Sequence, residues 1–150
     1  MKRKTALTRK IGMNAKRNRF GNVAQRSTAS DASFPELAGR SFPSKLERDR
    51  AVQLVILQRA GELSELRFQP QVHLTRANIG YKPDFVYEEN GRTIYEETKG
   101  VETEGYRMRI KLWKHYGPAL LRVLKRAPRS NRIVLVKEIM PEMDESQDGR

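Results

Sequence analysis

The sequence contains no cysteine and no run of 18 apolar residues. The absence of cysteine excludes disulfides, thiolate zinc sites and cysteine nucleophiles, and it is typical of a reducing compartment. The absence of long apolar runs argues against a membrane span, and the segment MKRKTALTRKIGMNAKRNRF lacks the continuous apolar stretch of a signal peptide. We therefore expect a cytoplasmic protein that acts away from membranes.

Positive charge is unevenly distributed along the chain. The net charge is +12, and residues 1–40 hold ten Lys or Arg against Asp31 and Glu36. The rest of the chain holds twenty Lys or Arg against sixteen acids, so the N-terminal segment carries most of the excess. Such a segment attracts phosphate backbones by releasing counterions, without reading a base sequence. Nucleic acid is therefore the expected partner, and a solubilising tail is the alternative.

Composition divides the chain into three segments. Residues 1–40 have few large apolar side chains and no sustained helical or strand periodicity, which predicts a flexible basic arm. Residues 141–150 begin with a proline and turn acidic, which predicts a loose tail. Residues 41–140 are long enough to bury a core, and they are expected to form one α/β domain with a mixed sheet.

Both ends of a first helix are marked in SKLERDRAVQLVILQRAGE. Ser44 is a good N-cap, Glu47 completes a capping box, and Gly61 suits the position after the last turn, which predicts a helix from about residue 45 to 60. On a helical wheel, Glu47 shares a stripe with Leu54. The glutamate is therefore expected on the flank that faces the core.

Three strands are predicted to follow this helix. The segment LRFQPQVHL, residues 66–74, alternates apolar and polar side chains but is interrupted by Pro70, which suits an edge strand or a bulge. The runs PDFVYEE and RTIYEETK flank Asn90-Gly91, the pair that most favours a tight hairpin. We expect these two runs to pair antiparallel.

Two helices and a strand are predicted to complete the domain. TEGYRMRIKLWKHYG favours an amphipathic helix over about residues 104–116, Pro118 can begin a second helix in PALLRVLKRA, and NRIVLVKEI suits a buried strand at 131–139. The first of these helices has a cationic side, which holds Arg107, Lys111 and Lys114. Its opposite side is apolar and holds Met108, Leu112, Trp113 and Tyr116. The expected order of elements is α, β, β, β, α, α, β.

The predicted hairpin brings charged side chains together at its open end. Side chains two apart share a face of a strand, so Glu97 projects with Lys99, while Glu96 points away and, like Glu89 in the turn, is expected to be solvated. The turn folds Asp84 to within a residue or two of Glu97. Carboxylates and a backbone carbonyl suit Mg²⁺, and a lysine beside them can steer and deprotonate an attacking water or stabilise charge on a phosphate. The alternative is an exposed hairpin with ordinary cross-strand charge pairs.

These motifs resemble the PD-(D/E)XK nuclease superfamily, with an acid on the first helix, Pro83-Asp84 on one strand and Glu97-Thr98-Lys99 on the next. Over about residues 41–116, the segments SKLERDRAVQL, QRAGELSELRFQPQVHL and YKPDFVYEENGRTIYEETKG are similar to a family of small phage and prophage proteins that is placed near resolvase-type endonucleases. Gln69 matches a Gln-Pro pair that recurs in that family, and the sequence indicates no role for it.

The resemblance implies a PD-(D/E)XK core, in which helices flank a mixed four-stranded sheet, and it implies a set of site residues. Asp84 and Glu97 are expected to bind the metal together with the Thr98 carbonyl, Lys99 is the expected catalytic lysine, and Glu47 is the expected acid that orients water or a second metal. For DNA contact, the sequence indicates Lys82, Arg107, Lys111 and Lys114 in the domain and Arg17 and Arg19 in the arm.

The activity that the resemblance implies is that of a Mg²⁺-dependent endodeoxyribonuclease, with Mn²⁺ as a substitute metal. Such a protein is expected to act as a homodimer on branched DNA, such as Holliday junctions, in phage DNA recombination. Two alternatives stay open: a nuclease that nicks or degrades duplex DNA without a structural preference, and a catalytically inactive nucleic-acid-binding protein.

Overall fold

The N-terminal part of the fold carries a helix with a cap at each end. In the computed structural model, which describes residues 25–26 and 33–142, a short strand β1 (Gln25–Arg26) pairs antiparallel with β2 (Ser41–Phe42), and helix α1 (Lys45–Arg59) follows. The Ser44 hydroxyl accepts a hydrogen bond of 3.1 Å from the Glu47 N–H. Gly61 adopts a φ of +79° just beyond the helix, a conformation that favours glycine. The predicted helix and its caps are therefore confirmed.

Five strands follow α1, and they belong to two separate sheets. They are β3 (Ser64–Phe68), β4 (Val72–His73), β5 (Gly80–Tyr81), β6 (Phe85–Glu89) and β7 (Arg92–Thr98). The predicted strand at 66–74 is divided at Pro70, because β3 pairs with β6 while β4 pairs with β5 in a small sheet of its own. Strands β6 and β7 form the predicted hairpin, in which Asn90 and Gly91 have φ values of +51° and +70°.

The main sheet is completed by a crossover helix and two more strands. Helix α2 (Glu104–Tyr116) leads to β8 (Leu120–Arg126) and β9 (Ile133–Ile139). The strand order is β3-β6-β7-β8-β9, with β7 and β8 parallel and all other neighbours antiparallel. A parallel pair requires a long connection between its strands, and α2 supplies it. The mixed sheet and its helices confirm the α/β class.

Two predictions for the C-terminal part were wrong. The segment that begins at Pro118 forms β8 and not a helix, so the main sheet has five strands and not four. Leu121 and Val123 are buried two residues apart, and β8 pairs with a strand on each side, so tertiary pairing overrides the local helix signal. Strand β9 lies at the edge of the main sheet and not in its interior, and Leu135 and Val136 are about half exposed.

Each face of the main sheet buries an apolar layer beneath one helix. The α1 layer contains Ala51, Leu54, Val55, Phe85, Tyr87 and Ile94, and the α2 layer contains Tyr106, Trp113, Leu121, Val123 and Ile139. On α2, Tyr106 and Trp113 set the buried stripe, while Met108 and Tyr116 are 56% and 58% exposed. The predicted apolar side of α2 is therefore correct for Trp113 and wrong for Met108 and Tyr116.

The ordered core begins ahead of residue 41. Leu37, in a 3-10 turn at Pro35–Leu37, is buried in the α1 layer, and Arg59 of α1 pairs with Glu36 at 2.7 Å. Residues 1–24 and 27–32 of the predicted arm, which include Arg17 and Arg19, and residues 143–150 of the predicted tail lie outside the residues described. Among those described, no helix is long and apolar enough to cross a membrane.

Candidate functional site

The open end of the β6–β7 hairpin brings Asp84 and Glu97 together. Phe85 pairs with Glu96, so the next position along the register sets Asp84 opposite Glu97. Asp84 Oδ2 accepts hydrogen bonds from the Thr98 N–H, at 2.7 Å, and from the Thr98 hydroxyl, at 2.6 Å. The convergence that the Asn-Gly turn predicts is therefore present in the structure.

Lys99 stands beside this carboxylate pair. Its Nζ lies 3.6 Å from Glu97 Oε1 and 5.0 Å from the centre of the Tyr106 ring. Its backbone N–H donates to the Leu124 carbonyl, at 2.8 Å, so the residue is held where β7 meets β8. The backbone of Lys99 is therefore fixed next to Glu97, and its ammonium group extends from there.

Burial and the charge of Asp84 disfavour the ionisation of Glu97. Burial first, and then the charge of Asp84, raise the pKa of Glu97 to about 8, although Lys99 acts in the opposite direction. Burial also raises the pKa of Asp84, while the two hydrogen bonds from Thr98 and the charge of Lys99 lower it. Glu97 is 6% exposed, and its Oε2 has no hydrogen-bond partner among the residues described. A buried pair of this kind is favourable only when a cation or protons compensate its charge.

Glu47 reaches the same region from α1 through Gln69. The Gln69 side-chain amide donates to Glu47 Oε1 at 3.3 Å, and its backbone N–H donates to the Asp84 carbonyl at 2.8 Å. Glu47 is 3% exposed, as predicted for a residue on the core flank, and burial followed by the charge of Asp84 raises its pKa to about 7. The bridge gives Gln69 the structural role that its sequence left open.

Glu47 and Glu97 line different cavities. A cavity of about 360 Å³ is lined by Gln71, Gly80, Tyr81, Lys82, Glu97, Lys99, Tyr106 and Arg109. A second cavity, of about 270 Å³, is lined by Gly39, Arg40, Ser41, Phe42, Glu47, Phe68 and Gln69. We call the first the lysine cavity and the second the glutamate cavity.

The residues predicted for DNA contact lie in different places relative to the lysine cavity. Lys82 lines it, whereas Arg107, Lys111 and Lys114 of α2 do not, and Lys114 pairs with Glu142 at 3.2 Å. Arg109, which the sequence analysis missed, lines the cavity. Arg109 lies three residues after Tyr106, so it falls beside the buried stripe of α2, although its own side chain is exposed.

Glu96 is buried on the opposite face of β7, so the prediction that it is solvated was wrong. The Arg50 guanidinium donates to both of its carboxylate oxygens, and the Tyr87 hydroxyl donates to Oε2 at 2.8 Å. Glu89 is also paired, with Arg122 at 2.8 Å. The alternation along β7 is as predicted, but the face away from Glu97 is covered by α1, and an arginine from that helix neutralises the buried acid.

The protein has a mixed α/β fold, and a carboxylate pair and a lysine lie together at one end of its mixed sheet. Among residues 25–26 and 33–142, no group of three or more His, Asp or Glu side chains is arranged to hold a metal ion. The chain belongs to the family described as "Protein of unknown function (DUF1064)", whose sequence model matches residues 31–130. No curated protein matches the chain.

Proposed function

We propose that this protein is a metal-dependent endodeoxyribonuclease of the PD-(D/E)XK type. The observation that carries the proposal is the arrangement of Asp84 opposite Glu97, with the Lys99 ammonium 3.6 Å from the Glu97 carboxylate at the wall of a cation-lined cavity. A helix, an antiparallel hairpin and a crossover helix followed by a parallel strand are consistent with that superfamily. Hydrolysis of a phosphodiester needs these carboxylates and this cation.

The donor set suits Mg²⁺, with Mn²⁺ as a substitute. Magnesium prefers oxygen ligands and is usually bound by one or two carboxylates, with waters and substrate phosphates completing its shell. Asp84, Glu97 and the Thr98 carbonyl would supply the protein ligands, and the unpartnered Oε2 of Glu97 is available for the purpose. When bound, the metal would polarise the phosphate and lower the pKa of a bound water.

Two further side chains complete the proposed site. Lys99 would steer and deprotonate the attacking water, or stabilise charge on the phosphate, from its position beside Glu97. Glu47 would orient water or a second metal through its link to Asp84, which passes through Gln69. Because Glu47 lines the glutamate cavity, its contribution reaches the lysine cavity only through this bridge.

The proposed substrate is branched DNA, cut by a homodimer in the cytoplasm of a phage-infected cell. The net charge of +12 supports a nucleic-acid partner, and the preference for branched DNA rests on the resemblance to resolvase-type endonucleases. A dimer would bring two sites to two strands of one junction.

The test is cleavage of a panel of substrates by the full chain with Mg²⁺ or Mn²⁺. Four-way junction, flap, nicked, duplex and single-stranded DNA are compared for wild type, Asp84→Asn, Glu97→Gln and Lys99→Met. Lys45→Met is the matched control, because this lysine is 64% exposed on α1 and pairs only with Asp49 among the residues described. Each site variant is expected to lose cleavage and the control to retain it.

Other outcomes separate the alternatives. Cleavage that survives Asp84→Asn or Lys99→Met would reject the site. Equal rates on duplex and junction DNA would favour a nuclease without structural preference, and binding without cleavage by wild type would favour an inactive nucleic-acid-binding protein.

A further inference from the structure

The lysine cavity has an excess of positive charge on its wall. Lys82, Lys99 and Arg109 line it, and Glu97 is the single acid among its lining residues. Lys99 lies against Glu97, but neither Lys82 nor Arg109 forms an ion pair with any residue that the structure describes. Two exposed cations without an ion-pair partner therefore face one partly open cavity, which favours an anionic ligand.

Arg109 reaches this cavity because of the direction of side chains on a helix. Helical side chains point back towards the N-terminus, and the Arg109 guanidinium passes over Gly105, with Nη1 3.8 Å from the position that a Cβ would occupy there. The head group is thereby directed to the end of α2 that follows Lys99. Arg107, on the same helix, is exposed and does not line the cavity.

The remaining wall is polar. The Gln71 amide nitrogen lies 2.5 Å from where a Cβ of Gly80 would be, so a larger residue at position 80 would displace this exposed, flexible side chain from the cavity wall. Three buried polar atoms around the cavity, the hydroxyls of Tyr81 and Tyr106 and Oε2 of Glu97, make no well-formed hydrogen bond in the described part of the chain, although the Tyr81 hydroxyl lies near enough to Glu97 to lower the pKa of that carboxyl. Buried polar atoms without partners are rare, and a water, an ion or a ligand group can satisfy them.

We propose that the lysine cavity is a subsite for one phosphate group of a nucleotide, held by Arg109 and Lys82 beside the Asp84–Glu97 pair. A guanidinium presents a planar pair of N–H donors that matches two phosphate oxygens, and the lysine adds a mobile point charge. The volume of about 360 Å³ is at the lower end of ligand sites, so it suits a single nucleotide. This inference rests on the proposed function in one respect, because the bound phosphate is taken to belong to the DNA strand that is cut.

The experiment measures binding and not cleavage. The full chain, at physiological salt with EDTA, is titrated with thymidine 5′-monophosphate and with thymidine, by calorimetry or by NMR of the backbone amides of β5 and α2. Wild type is compared with Arg109→Gln, Lys82→Gln and the matched control Arg92→Gln, at an exposed arginine next to the turn of the β6–β7 hairpin. Thermal unfolding checks that each variant is folded, and Arg109→Lys replaces Arg109→Gln if that variant is not.

The nucleotide is expected to bind more tightly than the nucleoside, with shifts at Gly80 and Lys82. Arg109→Gln is expected to weaken nucleotide binding by about tenfold, because a charge-assisted hydrogen bond is lost, and Arg109→Lys by less. Arg92→Gln is expected to leave binding within about twofold of wild type.

Equal losses in Arg109→Gln and Arg92→Gln, or equal binding of nucleotide and nucleoside, would overturn the subsite. Absence of nucleotide binding by wild type would do the same. The proposed function fails separately: a chain that binds the nucleotide through Arg109 but cuts no DNA keeps the subsite and loses the nuclease. A chain that cuts DNA with no dependence on Arg109 or Lys82 keeps the nuclease and loses the subsite.

Discussion

Replacing Glu97 with glutamine is expected to stabilise the metal-free protein at neutral pH. Burial and the neighbouring Asp84 raise the pKa of Glu97 from 4.5 to about 8. Between these values the folded state holds a proton that the unfolded state has released, so the free energy of unfolding falls as pH rises through this window. Below about pH 4.5 both states are protonated and the penalty is absent, and above about pH 8 it is complete.

The size of the effect follows from the width of the window. One pH unit corresponds to about 1.4 kcal/mol, so at pH 7 the penalty on the folded state is roughly 3 kcal/mol. Glutamine has nearly the same shape and cannot ionise, so Glu97→Gln is expected to exceed wild type by roughly 3 kcal/mol at pH 7 and by less than about 1 kcal/mol at pH 5. This destabilisation is what a site built to bind a cation is expected to show before the cation binds.

The measurement is urea unfolding with EDTA at several values between pH 5 and pH 8. The single tryptophan, Trp113, lies on the buried side of α2, and its fluorescence reports unfolding. Glu62→Gln, at an exposed position after α1, is the matched control and is expected to follow the pH dependence of wild type. A difference between Glu97→Gln and wild type that does not change with pH, or a less stable Glu97→Gln at pH 7, would refute the reasoning.

Three further predictions concern the surroundings of the site. Mg²⁺ is expected to raise the melting temperature of wild type more at pH 8 than at pH 6, because protons compete with the metal for Glu97, and to leave Glu97→Gln little changed. Gln69→Gly is expected to be about 1 kcal/mol more stable than Gln69→Ala in urea unfolding, because the φ of +48° at this position favours glycine. Both variants are expected to lower cleavage, because both lose the hydrogen bond from the Gln69 side chain to Glu47. Arg50→Ala is expected to lower the free energy of unfolding by about 3 kcal/mol or more, because it leaves the fully buried Glu96 carboxylate without its positively charged partner.

The features that the sequence predicted correctly depend on short-range chemistry. The caps at Ser44 and Gly61 define α1, and the Asn-Gly turn sets the β6–β7 register that brings Asp84 opposite Glu97. Each of these signals lies within a few residues of the element it controls. The carboxylate pair could therefore be located without any knowledge of distant contacts.

The features that the sequence missed depend on distant partners. β8 is a strand because β7 and β9 pair with its two edges, and Glu96 is buried because Arg50, on α1, neutralises it. Helix α2 separates β7 from β8, and Arg50 lies 46 residues before Glu96, so local propensity and alternation indicate a helix for residues 118–127 and a solvated acid at Glu96. Arg109, which lines the lysine cavity, was missed because helical periodicity separates it from the cationic side that Arg107, Lys111 and Lys114 form.

Gln69 shows how the fold carries a helix-borne acid to a site built on strands. Its left-handed backbone is unfavourable for a residue with a Cβ, and it occurs where β3 ends ahead of Pro70. In that conformation the backbone N–H donates to Asp84 while the side chain donates to Glu47, so one residue contacts both the hairpin and α1. The strained backbone of Gln69 is therefore linked to the pair of hydrogen bonds that connects Asp84 with Glu47. This connection supports a shared role for Glu47 and Asp84, although Glu47 lines the glutamate cavity and not the lysine cavity.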